Sequence, residues 1–250
     1  LLLAKRNCHL WRRLEQEKQR LETSRYPDRL KFYIMRSILH LDMNSYFAAV
    51  EQQANPYLRG QPVGILKAEG RTCVIAASRE AKKYGVKTGP SVFDTLKLCP
   101  KIILVPSDMD KYLSVTKSLI VLLENYSPLV EVFSIDEMFL DVTPVEHLYP
   151  GGAVSIALDL KQQIKNEIGE WLTCSIGISY NKLLAKLAGE QMKPDGLFVI
   201  DPDNLDQVLA QADFEDVCGI GFRIERRLLG LGITNLLQLR TFPKGTLFAE

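Results

Sequence analysis

From residue 37 to 42 (SILHLD), apolar and polar positions alternate, which predicts a strand. Phe47, Val50 and Ala54 then recur at helical spacing, and Asn55-Pro56 ends that helix. The stretch 55–108 changes character. Short apolar runs (VGIL, CVIAA) stand among turn residues and read as brief strands of a small insert. Tyr112, Val115, Leu119 and Leu122 put one apolar face on a helix over 110–126. Two strands follow, 129–134 and 138–142, joined by a tight connection. Ile156, Leu160, Ile164 and Ile168 mark a second amphipathic helix over 154–171. A strand over 173–179, a helix over 181–192 and a short strand over 196–200 complete the series.

With the insert set aside, the order is strand, helix, strand, strand, helix, strand. That is the order of a split βαβ, ferredoxin-like unit, so the expected fold class is α+β. From 201 onward the chain reads as helical, with a Gly219-Ile220-Gly221 turn between two helices. Residues 1–36 read as a helical extension of Leu, Arg, Lys and Glu with weak periodicity.

Charge changes this picture. Lys+Arg 31 against Asp+Glu 30 excludes a pervasively basic nucleic-acid binder and an acidic disordered chain. The balance hides a split: residues 1–36 are net +6 and residues 37–250 net −5, while the insert 55–108 alone is net +5. A protein of this charge that handles polyanions needs local basic patches or metal ions. The cysteines are scattered with no CxxC, so neither a disulfide framework nor a zinc site is expected, and a reducing, cytosolic setting fits. No apolar run reaches the roughly 18 residues of a membrane span. The start lacks an initiator Met and a signal-peptide pattern, and the end has no stop-like features, so a fragment is expected.

Two carboxylate-bearing segments stand out. Asp42 ends the first strand, and Ser134-Ile135-Asp136-Glu137 lies between apolar strands, with Asp141 beyond. In a ferredoxin-like sheet the first strand and the later hairpin are central neighbours, so Asp42 can meet Asp136 and Glu137. Clustered carboxylates repel one another, and burying them unpaired is costly. A divalent cation relieves this, and oxygen-only ligands favour Mg²⁺ or Mn²⁺. Two such ions can clamp the attacking and leaving oxygens of a phosphoryl transfer.

The segments SILHLDMNSYFAAVE, AASREAKKYGVKTG, FSIDEMFLDV, SIGISYNKLLAKLAGEQMKPDG and DVCGIGFRIERRLLGLGI occur in the order and spacing of one family. Over 37–245 the chain resembles the Y-family (translesion) DNA polymerases, most of all their bacterial DinB branch. The resemblance implies a ferredoxin-like palm (37–54 and 109–200), small inserted fingers (55–108) and a helix-hairpin-helix thumb (201–250). It also implies that the chain stops before a little-finger domain. The overall shortage of positive charge is what the absence of such a DNA-gripping domain would leave.

The same resemblance implies roles for residues. Asp42, Asp136 and Glu137 match the catalytic, metal-binding triad for two Mg²⁺, with the backbone carbonyl of Met43 as a further ligand. Phe47 falls at the steric gate that excludes a ribose 2′-hydroxyl. Ser45, Tyr46 and Phe47 open a helix whose N–H groups suit triphosphate oxygens. In the fingers, Arg79 and Lys82 stand where the family shows Tyr and Arg, and Lys82 keeps the charge without the bidentate fork. Lys193 matches a lysine on the β/γ phosphates. Asn44 stands where many relatives have Asp and is not taken as a ligand. In the thumb, Gly219 and Gly221 let backbone N–H groups meet a DNA phosphate, with Arg223, Arg226 and Arg227 beside them.

The expected function is template-directed, error-prone DNA synthesis in lesion bypass. Primer-template DNA and dNTP are its partners, with a sliding clamp recruited through a further C-terminal region. The resemblance points to a monomer in the bacterial cytoplasm, at the nucleoid, with no membrane. An inactive polymerase-like accessory protein is the rival, and the retained triad speaks against it. A nucleotide cyclase also carries two-metal carboxylates on such a sheet, but would lack the insert and the hairpin.

Overall fold

The computed structural model describes residues 36–67, 73–243, 245 and 247. Apart from Arg36, the basic segment 1–36 lies outside the described residues. Strand β1 (Ile38–Met43) leads into helix α1 (Tyr46–Ala54). The insert contributes β2 (Val63–Leu66), β3 (Val74–Ala77), α2 (Arg79–Lys82), α3 (Val92–Leu98) and β4 (Ile103–Pro106). Then come α4 (Met109–Glu124), β5 (Val130–Val132), β6 (Glu137–Asp141), α5 (Gly152–Gln163), β7 (Cys174–Ser179), α6 (Lys182–Gln191) and β8 (Leu197–Val199).

The main sheet has the order β5-β6-β1-β7-β8. Strand β1 pairs antiparallel with both β6 and β7, and β5 pairs antiparallel with β6. This is the ferredoxin-like arrangement expected from the element order. The α6–β8 unit extends it by adding β8 parallel to β7. Alternation along β1 decides what each face does. Leu39, Leu41 and Met43 enter the main core with Tyr112, Leu119, Ile156 and Leu160 from α4 and α5. Ile38, His40 and Asp42 take the opposite face. Their register partners there are Asp141, Phe139 and Glu137 on β6 and Ser179, Gly177 and Ser175 on β7.

Helix α6 covers that opposite face closely, and Gly177 permits it. A Cβ at Gly177 would lie 2.1 Å from the Ala185 carbonyl oxygen and 2.2 Å from the Gly189 nitrogen. Asn181 caps α6, its side chain accepting the Leu184 N–H at 2.9 Å.

The insert forms its own sheet, β3-β2-β4, with β2 antiparallel to β3 and parallel to β4. Strands β2 and β3 match the VGIL and CVIAA runs. Helix α3, capped by Ser91, and strand β4 were not expected. The insert is not walled off from the rest. Val63 and Ile65 are buried in the main core, while Leu66, Val74, Ala77, Ala81, Val86, Cys99 and Ile102 form a smaller core of their own.

The helix expected over 154–171 begins two residues earlier and ends three residues earlier. It runs as α5 and one wide turn, Ile164–Ile168, and stops at Gly169. Gln53 of α1 lies against Gly169, where a Cβ would be 2.6 Å from Gln53 Cδ, and Gln53 Oε1 accepts the Trp171 N–H at 2.8 Å. The strand expected over 129–134 also ends early. Phe133 and Ser134 both donate to the Glu137 carbonyl, at 3.0 and 3.1 Å, and turn the chain ahead of β6.

Beyond the sheet lie α7 (Leu205–Gln211), a single tight turn Phe214–Asp216, α8 (Phe222–Gly230) and α9 (Leu236–Thr241). Val208, Leu209, Phe214, Leu228, Ile233 and Leu236 pack on Leu184, Leu187 and Ala188 of α6. No described helix is long and apolar enough to cross a membrane.

Candidate functional site

Two adjoining clefts open where β1 passes into α1. One, of about 660 Å³, is lined by Asp42, Asn44, Ser45, Arg79, Lys82 and Lys193 among others. The second, of about 210 Å³, is lined by Asp42, Met43, Tyr46, Phe47, Lys82, Thr88 and Asp136 among others. Asp42, Ser45 and Lys82 border both. The structure therefore brings together Asp42, Met43, Ser45, Tyr46, Phe47, Arg79, Lys82, Asp136 and Lys193. Glu137 lines neither cleft. Gly219, Gly221 and Arg223 belong to the C-terminal helical segment and also line neither.

The β1–β6 register places Asp42 opposite Glu137, and the Met43 N–H donates to the Asp136 carbonyl at 3.0 Å. The Asp42 carboxylate meets Lys193 Nζ at 3.0 Å, and Lys193 also meets Glu190 at 2.8 Å. Burial still raises the Asp42 pKa, against the lowering effect of Lys193. Asp42 is thus short of compensating positive charge. Burial and the charge of Lys193 hold the Lys82 pKa below its usual range.

Glu137 is differently placed. His40 Nε2 lies 3.3 Å from Glu137 Oε2, and Lys186 of α6 pairs with the same oxygen. His40 first, then Lys186, lowers the Glu137 pKa to about 2. His40 is fully buried, with no partner for its Nδ1. Asp136 accepts from Ser134 Oγ at 2.6 Å, and the same hydroxyl accepts the Glu137 N–H at 3.1 Å.

Helix α1 begins without a side-chain cap. Ser45 adopts a left-handed conformation (φ 51°), and its Oγ is buried without a partner. The first N–H groups of α1 are therefore not taken by their own cap, and Ser45, Tyr46 and Phe47 border the smaller cleft.

Asp42, Asp136, Glu137 and the Met43 carbonyl offer oxygen donors only, the kind of atom a hard divalent cation takes. The under-compensated charge of Asp42 fits one as well. Among the described residues no three His, Cys, Asp or Glu side chains converge as a metal-holding group. Lys193 and Lys186 instead occupy the carboxylates of Asp42 and Glu137.

Sequence reading missed His40, Lys186, Tyr112 and Glu190. His40 carried a signal, since it stands two residues before Asp42 and so shares its face of the strand. Tyr112 was read as core only, yet its ring stacks on Phe47, with centroids 4.5 Å apart and planes 15° apart.

Residues 41–190 match the impB/mucB/samB family. The chain belongs to this family. The resemblance to the Y-family polymerases stands with it. The impB/mucB/samB match is accompanied by 40% identity over 211 residues to the DNA polymerase IV of Akkermansia muciniphila, covering 84% of this chain and 57% of that protein. An insertion ternary complex of Dbh DNA polymerase superposes with a TM-score of 0.78 at 32% identity, covering 84% of this chain and 62% of that one. A Y-family DNA polymerase chimera of Dbh and Dpo4 gives 0.78 at 31%, with the same coverage. The chain spans just over half the length of its Akkermansia relative.

Proposed function

We propose that this chain is the catalytic part of an error-prone, template-directed DNA polymerase. The primer 3′-hydroxyl would attack the α-phosphate of a bound dNTP, and pyrophosphate would leave. The observation that carries this reading is the meeting of Asp42, Asp136, Phe47, Lys82 and Lys193 in two adjoining clefts at the end of β1. The identity to a DNA polymerase IV and the fold shared with Dbh DNA polymerase support it.

In this reading residues 37–54 and 109–200 are the palm, 55–108 the fingers and 201–250 the thumb. Asp42, Asp136, Glu137 and the Met43 carbonyl would hold two Mg²⁺, or Mn²⁺. When bound, the ions lower the pKa of the 3′-hydroxyl and neutralise the triphosphate. The remaining work falls to the chain itself. Ser45, Tyr46 and Phe47 offer backbone N–H groups at a helix start to phosphate oxygens. Arg79, Lys82 and Lys193 line the larger cleft and supply positive charge. The Phe47 ring borders the smaller cleft beside Asp42 and Asp136, where it would exclude a 2′-hydroxyl. Gly219, with its positive φ, Gly221 and Arg223 would hold the DNA backbone.

Primer-template DNA and dNTP are the partners of this reading. It places a monomer in the bacterial cytoplasm, at the nucleoid, recruited by a sliding clamp through a further C-terminal region. Asp136→Ala tests the reading. Primer extension with Mg²⁺ should fall at least about 10³-fold while the variant stays folded and binds DNA. Retained extension would end it, and lost extension in the parent chain would favour the inactive accessory protein.

A further inference from the structure

The turn that carries Lys193 is held from two sides. On one side stands Asn44, buried, one residue beyond β1. Its side-chain oxygen accepts the Asp195 N–H at 2.7 Å, across 151 residues of sequence. The same oxygen accepts the Thr173 hydroxyl at 3.2 Å, and the Asn44 amide donates to Ser175 Oγ at 2.9 Å. On the other side Lys161 of α5 donates to the carbonyls of Cys174, Asp195 and Gly196, at 2.9, 2.6 and 3.1 Å. Lys161 and Lys165 also pair with the Asp195 carboxylate, at 2.8 and 3.3 Å.

Asp195 itself has φ +57°, a left-handed conformation that side chains disfavour and that persists where its surroundings dictate it. Gly196 follows with no room for a side chain, since a Cβ there would lie 1.8 Å from the Met192 carbonyl oxygen. The turn is therefore tightly specified, and Lys193 Nζ is delivered to Asp42 at 3.0 Å.

We propose that Asn44 is a positioning residue for Lys193. Its side-chain oxygen fixes the Lys193–Gly196 turn on the corner formed by Asp42 and Ser45, so that the lysine ammonium meets the triphosphate of an incoming nucleotide. This rests on the reading of Lys193 as a triphosphate ligand. The two holds are not equivalent. Lys161 reaches the turn from α5, whereas Asn44 belongs to the β1–α1 connection, two residues beyond Asp42 and next to Ser45. What the position requires is an acceptor oxygen at the reach of Asn44. An aspartate supplies it, because the Ser175 hydroxyl can rotate to donate where it now accepts. Alanine supplies none, and serine is too short to reach Asp195.

The test uses the whole chain, primer-template DNA and the complementary dNTP. Binding is measured on a dideoxy-terminated primer and single-turnover extension on a 3′-hydroxyl primer. Asn44→Ala should weaken dNTP binding about tenfold while the maximal rate stays within about threefold. Asn44→Asp should restore binding to within about twofold of the parent. In a Lys193→Ala background, Asn44→Ala should add less than about twofold, because both changes remove one interaction. Unchanged binding in Asn44→Ala, full additivity with Lys193→Ala, or an aspartate variant as weak as alanine would each overturn the proposal. Should the alanine variant not fold, Asn44→Ser carries the same comparison against Asn44→Asp. A parent chain that neither binds dNTP nor extends primer, or a silent Lys193→Ala, brings down the functional reading and this proposal with it. A parent that works and needs Lys193, beside a silent Asn44→Ala, brings down the proposal alone.

Discussion

The rings of Phe47 and Tyr112 lie face to face, 4.5 Å between centroids and 15° between planes. Tyr112 is itself fixed. Its hydroxyl donates to Glu51 at 2.9 Å, Glu51 is bridged by Lys111, and the Tyr112 carbonyl accepts from the Tyr46 hydroxyl at 2.8 Å. The proposed gate thus has a rigid back. Such a stack contributes about 0.5–1.5 kcal/mol beyond area burial. Tyr112→Ala should therefore relax deoxyribose selection by roughly three- to tenfold in competing dNTP and NTP extension assays. Phe47→Ala should relax it by more. Undiminished selection in both variants would remove the pair from the gate.

Lys82 borders both clefts, and Arg79 borders the larger one. Lys82→Ala should raise the KM for dNTP about tenfold with little change in stability, since one charged contact to phosphate is worth roughly 1.5–3 kcal/mol. Arg79→Ala should raise it less, as Arg79 meets only one cleft. Steady-state extension at varied dNTP separates the two. If Lys82→Ala and Lys193→Ala both leave KM unchanged, the phosphates are held elsewhere.

Glu137 links folding to pH. Its folded pKa of about 2 lies below the ordinary value of 4.5, chiefly through His40 and Lys186. The unfolded chain therefore binds more protons at acid pH. The stabilisation is complete above pH 4.5 and is lost as pH falls toward 2. Urea unfolding in metal-free buffer should show this acid loss in the parent chain. In Glu137→Gln the slope over that window should be smaller, with stability near neutral pH lower by about 2 kcal/mol. An unchanged slope would show that the pairing does not hold Glu137.

Gly177→Ala tests how α6 is seated. The new methyl would meet backbone atoms of Ala185 and Gly189, not the end of a flexible side chain. A loss of about 3 kcal/mol in unfolding free energy is expected, the upper end for overpacking. Because α6 carries Lys186 and Glu190, extension should weaken as well. A variant as stable as the parent would mean that α6 can lift from the sheet at little cost.

Much of this was legible in the sequence, and the reason is register. Alternation in SILHLD fixes which face Asp42 takes. The βαββαβ order makes β6 its neighbour, so the meeting of Asp42 with the Asp136–Glu137 segment follows from period and topology. Side-chain partnerships that strand register alone does not dictate were not legible. Asn44 finds Asp195, and His40 finds Glu137, only once the sheet is built. Lys186 carried a charge that reads as solvated on any exposed helix face, and only the close approach of α6 at Gly177 brings it to Glu137. The apolar period of the helix expected over 154–171 ends at Ile168, as the helix does, and the last three expected residues are turned away where Gln53 packs at Gly169 and accepts the Trp171 N–H. Strand β4 is not legible because its short apolar run ends in Pro106, a residue that argues against a strand.

The central place of β1 also has a consequence in time. This strand is among the first of the described segments to leave a ribosome, yet both its neighbours are made much later. His40 waits 97 residues for Glu137, and Asn44 waits 131 for Ser175 and 151 for Asp195. At roughly 5–20 residues per second, that is about 5–30 seconds of synthesis. Until β6 is made, an apolar strand with two unpaired edges is available to other chains, and until β7 is made one edge stays open. A chain cut short before β7 would keep one edge of β1 unpaired, so the central strand of this sheet is closed only when the seventh described strand is in place.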